Sequence, residues 1–168
     1  CYGLAEATLM VTSNTRGGPY YTLHVDHEQL ALGRVVPDPH GSEMVSSGGL
    51  LFDDQVRLMD PQTLQPVAEN SVGEIWVRGP SVARGSWRNP EATARTFLGL
   101  PDGRWLRSGD LAFLHQGGLF ITSRAKDVII IRGQNRYPQD IEKAVEQGVE
   151  AVRKGRVAAF PVQVDGRE

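Results

Sequence analysis

The chain has 168 residues, 40% of them hydrophobic and 23% charged, which is ordinary for a globular protein of one domain or one and a part. A net charge of −2 argues against nucleic acid as the main partner, and no run approaches the ~18 apolar residues of a membrane span. The single cysteine, Cys1, excludes a disulfide framework and fits a reducing compartment, so we expect a cytoplasmic protein.

The first twelve residues, CYGLAEATLMVT, form an apolar stretch that carries one acidic side chain. The aromatic face of Tyr2 suits stacking on a nucleotide base. The hard carboxylate oxygens of Glu6 suit Mg²⁺ among phosphates. A buried strand end with Glu6 at its rim is the alternative, and it would be preferred if this motif stood alone.

The middle of the chain contains two predicted strands and one predicted helix. Polar and apolar residues alternate over 55–59 and 72–79, which indicates half-buried antiparallel strands, with Ile75 and Val77 on one face of the second. Asn89, followed by proline and glutamate, is typical of a helix N-terminus. We expect Ala94, Phe97 and Leu98 to form its apolar face and Gly99 to end it.

The stretch over 105–142 connects two differently charged parts of the chain. Arg107-Ser108-Gly109-Asp110 is interpreted as a polar loop, and the apolar runs 111–114 and 119–122, split by Gly117-Gly118, predict a β-hairpin. A charged break over 123–127 then leads directly into a strand over 128–131. Residues 1–123 carry 9 basic and 13 acidic side chains, and residues 124–168 carry 9 and 7. The change of sign supports an interdomain hinge at the break.

A second helix and the start of a sheet are predicted after the hinge. Pro138 is placed to begin the helix. Its apolar residues recur at helical spacing, so one face should pack inward; they are Ile141, Val145, Val149 and Val152. A strand over 157–160 follows, then a hairpin turn at Asp165-Gly166 whose returning strand is missing.

Four motifs occur in the order found in one enzyme superfamily. They are Tyr2-Gly3-Leu4-Ala5-Glu6, Gly73-Glu74-Ile75, Arg107-Ser108-Gly109-Asp110 and the stretch from Ser123-Arg124 through Arg132-Gly133. Together they resemble the signatures of the adenylate-forming ligases. The continuation over 133–142, GQNRYPQDIE, resembles the fatty acyl-AMP ligase branch rather than acyl-CoA synthetases or luciferases.

The resemblance implies an α+β fold in two parts. Residues 1–122 would form the distorted antiparallel β-barrel that ends the large adenylation domain. Residues 123–168 would form the hinge and the truncated start of the small α+β C-terminal domain. Lys126 falls at the hinge position, whose backbone would rotate between adenylating and transferring poses; a plain exposed lysine is the alternative. Residues 20–37 are the candidate for an insertion that restrains the mobile domain, with an ordinary long connection as the alternative.

The resemblance also implies roles for individual residues. The ring of Tyr2, with Gly3 beside it, would stack on the adenine, and Glu6 would help to hold Mg²⁺. Asp110 would accept hydrogen bonds from both ribose hydroxyls, which suits a carboxylate because it is an acceptor only. Arg124 would meet the ribose and phosphate side of the adenylate. In isolation, Asp110 would be explained as a turn residue and Arg124 as a surface ion-pair partner.

The implied activity joins a fatty acid to AMP with ATP and Mg²⁺, releases pyrophosphate, and passes the acyl group to the phosphopantetheine thiol of an acyl carrier protein. The family's phosphate loop and catalytic lysine have no match here, and the sequence does not begin with methionine. We therefore expect a fragment that is inactive alone. An acyl-CoA synthetase of the same fold is the first alternative. A non-catalytic β-rich docking module of a synthase is the second.

Overall fold

The computed structural model describes residues 1–14, 20–51, 55–131 and 134–162. A 3₁₀ turn at Ala5–Ala7 is followed by strands β1 Thr12–Ser13, β2 Thr22–Val25, β3 Ser42–Val45, β4 Gly49–Leu50, β5 Gln55–Met59, β6 Gly73–Arg78, β7 Phe97–Leu100, β8 Gly103–His115, β9 Gly118–Arg124, β10 Ile129–Ile131 and β11 Gln134–Arg136, and by helices α1 His27–Ala31, α2 Pro90–Thr96 and α3 Pro138–Gly148. The predicted mixture of helices and antiparallel strands is confirmed.

The main sheet is built around the long strand β8. Strand β6 pairs with one side of β8 and with β5 beyond it, while β7 and β9 pair with the first and second halves of the other side. These pairings leave the sheet open in the described residues. The two predicted middle strands are confirmed as β5 and β6. However, β6 is buried on both faces rather than one, because Trp76 packs on the face opposite Ile75 and Val77.

The predicted hairpin is confirmed by the pairing of β8 with β9. Its two-residue turn is Gln116-Gly117, one residue earlier than predicted, with φ angles of 47° and 78°. Two positive φ angles match the right-handed twist of the strands. The interpretation of Arg107-Ser108-Gly109-Asp110 as a loop is wrong, since all four residues lie within β8. The polar residues instead form a bulge, where the register between β6 and β8 shifts.

Helix α2 begins as predicted and ends early. The side chain of Asn89 accepts a hydrogen bond from the Ala92 amide at 2.9 Å, which caps the first turn. The helix ends at Thr96 and not at Gly99, because Phe97 and Leu98 belong to β7 and pair with β8. Strand pairing leaves Phe97 only 6% exposed, whereas α2 contains no buried residue.

The structure after Arg124 matches the elements predicted from the sequence only in part. The predicted strand and helix are present as β10 and α3. The predicted apolar face of α3 packs inward only in part, since Val145 and Val152 are half-buried while Ile141 and Val149 are 38% and 45% exposed. Residues 157–160 form no strand, because no described strand pairs with them. The Arg132-Gly133 motif and the Asp165-Gly166 turn lie outside the described residues.

Three hydrophobic clusters hold the described elements together. The largest lies between the main sheet and the start of the chain, where Ala7 and Val11 pack against β6 and β8. A second joins β2 and α1 to Phe113, Phe120 and Tyr137, so it includes residues from both sides of the predicted hinge. Within the described part of the chain, no helix has the length and apolar character to cross a membrane.

Candidate functional site

Three of the residues singled out in the sequence meet at the middle of β8. The Tyr2 hydroxyl donates to Asp110 Oδ2 at 2.9 Å, and Arg124 Nε donates to Asp110 Oδ1 at 3.1 Å. Asp110 and Arg124 are register partners on β8 and β9. The Asp110 side chain is 13% exposed and that of Arg124 is 59% exposed. The carboxylate is therefore held on both oxygens, while the guanidinium faces solvent.

Tyr2 reaches this position because the start of the chain folds back on itself. The Tyr2 amide donates to the Thr12 carbonyl at 3.0 Å, and the Val11 amide returns a hydrogen bond to the Tyr2 carbonyl at 3.0 Å. Gly3 allows this close approach, since a Cβ there would overlap the Leu9 carbonyl oxygen. Burial, together with the charge of Asp110, raises the pKa of the Tyr2 hydroxyl. The hydroxyl therefore stays protonated as a donor at neutral pH.

Glu6 lies apart from this contact, in the exposed 3₁₀ turn. Its backbone carbonyl accepts a hydrogen bond from the Ala83 amide at 2.7 Å, which fixes the turn against the loop after β6. Among the described residues, no three His, Cys, Asp or Glu side chains form a metal-binding group. Mg²⁺ is usually held by one or two carboxylates together with phosphates and water. A single exposed glutamate fits that pattern as one ligand.

A buried acid to which the sequence motifs assigned no individual role lies beside Asp110. Glu74, in β6, is 3% exposed. It accepts from Arg107 Nη2 at 2.8 Å and from the Gly109 amide at 3.2 Å. Trp76 Nε1 donates to it at 3.1 Å. The signal that could have revealed it is one acid within the otherwise uncharged run 72–77, VGEIWV.

The bulge between Arg107 and Asp110 is fixed by a second side chain. The Ser108 hydroxyl donates to the Ile75 carbonyl at 2.8 Å and accepts from the Asp110 amide at 3.0 Å. Gly109 has φ 75°, a left-handed conformation that glycine adopts without strain. The position of Asp110 thus depends on contacts with β6 as well as on Tyr2 and Arg124.

Lys126 lies in an exposed turn directly after β9. The Ala125 amide donates to the Gly109 carbonyl at 2.8 Å, and the Asp127 amide donates to the Arg124 carbonyl at 3.0 Å. The turn is therefore anchored at its beginning to the same bulge that carries Asp110. This part of the chain connects the Asp110 site to β10 and α3.

Residues 20–37 contact the chain beyond Lys126. They contain β2 and α1, and the Tyr137 hydroxyl donates to the Leu30 carbonyl at 3.1 Å. His27 Nδ1 lies 3.8 Å from Asp140 Oδ2. Burial raises the pKa of Tyr137 to about 12. Residues 20–37 therefore contact the start of α3 directly.

Residues 1–87 match the sequence pattern of the AMP-binding enzymes. The chain belongs to this family. The matched region includes Tyr2, Gly3, Glu6 and the buried Glu74, while Asp110 and Arg124 follow it in the main sheet. In the folded chain the matched region contacts the β8–β9 hairpin through the pairing of β6 with β8 and through the Tyr2–Asp110 hydrogen bond.

Several relatives of this family member are named as fatty-acid ligases. It is 43% identical to the medium-chain-fatty-acid–[acyl-carrier-protein] ligase JamA of Moorena producens, over 99% of this chain and 30% of that protein. It is 40% identical, over the same shares, to FadD21 of Mycobacterium tuberculosis, which carries the name of a fatty-acid–CoA ligase. The crystal structure of a fatty acid AMP ligase from Legionella pneumophila is 44% identical with a TM-score of 0.70, covering 99% of this chain and 30% of that one. The chain thus spans about 30% of the length of these proteins.

Proposed function

We propose that this chain is part of a ligase that activates a fatty acid with ATP, giving acyl-AMP and pyrophosphate, and then transfers the acyl group to the phosphopantetheine thiol of an acyl carrier protein. The observation that carries the proposal is the contact of Asp110 with Tyr2 and Arg124 in a chain of the AMP-binding family. The names of the Legionella and Moorena relatives support the fatty acid and the carrier protein.

The proposed nucleotide site uses the unfilled acceptor positions of Asp110. Each carboxylate oxygen has two lone pairs, and one hydrogen bond to each comes from Tyr2 or Arg124. The remaining lone pairs suit the 2′ and 3′ hydroxyls of a ribose. Arg124 uses Nε on Asp110, so its exposed Nη groups are placed to bind phosphate oxygens. The Tyr2 ring, with Gly3 beside it, would stack on the adenine.

Glu6 is the proposed protein ligand for Mg²⁺. When bound, the metal neutralises charge on the phosphates and orients them. The exposed turn leaves the Glu6 carboxylate open to solvent, which suits a metal shared with a nucleotide.

We also propose the two-part domain organisation, with 1–122 in the large domain, 123–168 beginning the small one, and Lys126 as the hinge. Lys126 is itself exposed, so its own charged side chain would stay in solvent during a backbone rotation there. The hydrogen bond from Tyr137 to Leu30 supports a restraining role for residues 20–37, because it crosses the proposed hinge.

The carrier protein is proposed to dock on the basic segment that follows α3. Arg153, Lys154 and Arg156 are all exposed, and carrier proteins are usually acidic. Reversal of these three charges should slow acyl transfer while leaving acyl-AMP formation intact. Unchanged transfer would show that the carrier docks elsewhere.

The full-length protein, supplied with Mg-ATP, a panel of fatty acids and either CoA or a phosphopantetheine-bearing carrier, tests the proposal by mass spectrometry of the products. We expect acyl-AMP and acyl-carrier without acyl-CoA, and no adenylate from residues 1–168 alone. Abundant acyl-CoA would identify an acyl-CoA synthetase instead. No adenylate with any acid would favour the docking module.

A further inference from the structure

Glu74 is an acidic side chain placed where an apolar one would be expected. It lies between Gly73 and Ile75 in β6, a strand buried on both faces, and only 3% of it is exposed. Removing a carboxylate from water is costly, and its partner Arg107 remains 27% exposed, so the pair is weak evidence for a gain in stability. The surroundings of the pair therefore indicate what it does.

Every described hydrogen-bonding neighbour of the Glu74 carboxylate is a donor. Oε2 accepts from Arg107 Nη2 at 2.8 Å and from Trp76 Nε1 at 3.1 Å. Oε1 accepts from the Gly109 amide at 3.2 Å. Arg107 Nε also donates, to Oε2 at 3.1 Å and to Oε1 at 3.3 Å. An ionised carboxylate satisfies all four N–H donors, whereas an amide side chain would have to direct its own N–H groups at one of them.

The Gly109 amide is the contact that links Glu74 to the nucleotide site. Gly109 immediately precedes Asp110 and sits at the bulge with φ 75°. Its carbonyl accepts from the Ala125 amide, directly after Arg124. Glu74 thus holds, from the neighbouring strand, the Ser108–Gly109 peptide, and Gly109 leads directly into Asp110 within the bulge.

We propose that Glu74 is a positioning residue that, through the Gly109 amide and Arg107, sets the Asp110 carboxylate for the ribose hydroxyls of the nucleotide. This inference rests on the proposed function, in which Asp110 binds the ribose. It assigns the Gly73-Glu74-Ile75 motif a role in substrate recognition in addition to packing.

The test compares kcat/KM for ATP and for 2′,3′-dideoxy-ATP in the full-length ligase. Two hydrogen bonds to a charged acceptor correspond to a preference for ATP of about 100-fold. The Glu74→Gln variant should narrow this preference to about tenfold, because it loses part of the ribose contact and not the phosphate contacts. A purely structural role would lower kcat/KM for both nucleotides by the same factor and leave the ratio unchanged, which would overturn the proposal.

Two further variants keep the result interpretable. Glu74→Asp keeps a negative charge opposite Arg107 but withdraws the carboxylate from the Gly109 amide. It should therefore also narrow the preference for ATP over 2′,3′-dideoxy-ATP. This variant provides the test if Glu74→Gln fails to fold. Trp105→Phe is the matched control, since its indole is fully buried in β8 and donates to Asp102 at 3.1 Å, at the other end of the strand. It should lower stability and leave the ratio unchanged.

Asp110→Ala separates this proposal from the function on which it rests. If Asp110→Ala abolishes the preference and neither Glu74 variant narrows it, Asp110 binds the ribose without Glu74 and the positioning role is wrong. If the wild type shows no preference for ATP, or Asp110→Ala retains it, the nucleotide site itself is wrongly assigned, and the positioning role falls with it.

Discussion

The Tyr2 hydroxyl donates a hydrogen bond to Asp110, which lies 108 positions further along the chain. The side chain has two separable parts in the proposed site: the ring would contact the base, and the hydroxyl holds Asp110. The hydroxyl remains a donor because burial raises its pKa. The two parts are distinguishable by substitution.

Tyr2→Phe removes only the hydroxyl, and we expect it to raise the KM for ATP about tenfold, as for one lost hydrogen bond to a charged acceptor. Tyr2→Ala also removes the stacking surface, for a further factor of about ten. Steady-state pyrophosphate release in the full-length protein measures both. Equal KM values for the two variants would show that the ring does not contact the base.

Tyr137 provides a pH-dependent contribution to stability. Its pKa is raised from 10.0 to about 12 by burial, so the unfolded chain loses this proton first. The contribution is therefore complete below pH 10 and is lost as the pH rises from 10 to 12. The wild type should lose up to about 2 kcal/mol over this range relative to Tyr137→Phe. Thermal unfolding of both proteins at pH 9 and pH 11 tests this, and parallel changes in Tm would contradict it.

At the scale of elements, the bulge in β8 brings polar groups together in the middle of a sheet. A regular strand would place alternate residues on opposite faces. The shift in register between β6 and β8 breaks that alternation where Glu74 meets Arg107 and Gly109. The bulge therefore places polar groups of a structural strand in the proposed nucleotide site.

Gly109→Ala tests the bulge directly. A Cβ at Gly109 would have open space, so the cost comes only from φ 75° and should be about 1–2 kcal/mol of stability, together with a higher KM for ATP. Gly99→Ala, on the neighbouring strand β7, is the matched control, because a Cβ there also meets nothing and φ is not positive. Unfolding curves and ATP titrations of both variants should separate them; equal effects would mean that the bulge does not require glycine.

Local signals in the sequence predicted the elements that depend on neighbours in the chain. The Asn89 cap and the hairpin after His115 are of this kind, since their determinants lie within a few residues. The end of α2 and the bulge at Gly109 were missed because both depend on pairing with β8 or β6. Family resemblance selected Asp110 and Arg124, but the Glu74–Arg107 pair requires the register of two strands that the sequence does not specify.

At the scale of the whole molecule, residues on both sides of the turn at Lys126 share one hydrophobic cluster. Val25 and Leu30 pack with Phe113, Phe120 and Tyr137. The exposed turn is therefore flanked by a contact that limits how far α3 can move away from α1. The freedom of the proposed hinge depends on this contact.

Tyr137→Ala should release that restraint and speed tryptic cleavage after Lys126 by about tenfold or more, since cleavage follows the population of the opened state. Phe160→Ala is the control, because Phe160 is an exposed apolar side chain beyond α3 and should leave the rate unchanged. Gel analysis of limited digests would show the difference. An unchanged rate for Tyr137→Ala would show that residues 20–37 do not restrain the chain after the turn.

The family match ends at residue 87, between two strands of the main sheet. Strands β5 and β6 precede that residue, and β7, β8 and β9 follow it. A chimera of two related ligases joined there would pair a β6 from one parent with a β8 from the other. Correct folding of the chimera would require that Trp76 stays opposite Arg107 in the strand register. It would also require an arginine at position 107 of the second parent to pair with the buried Glu74 carboxylate of the first.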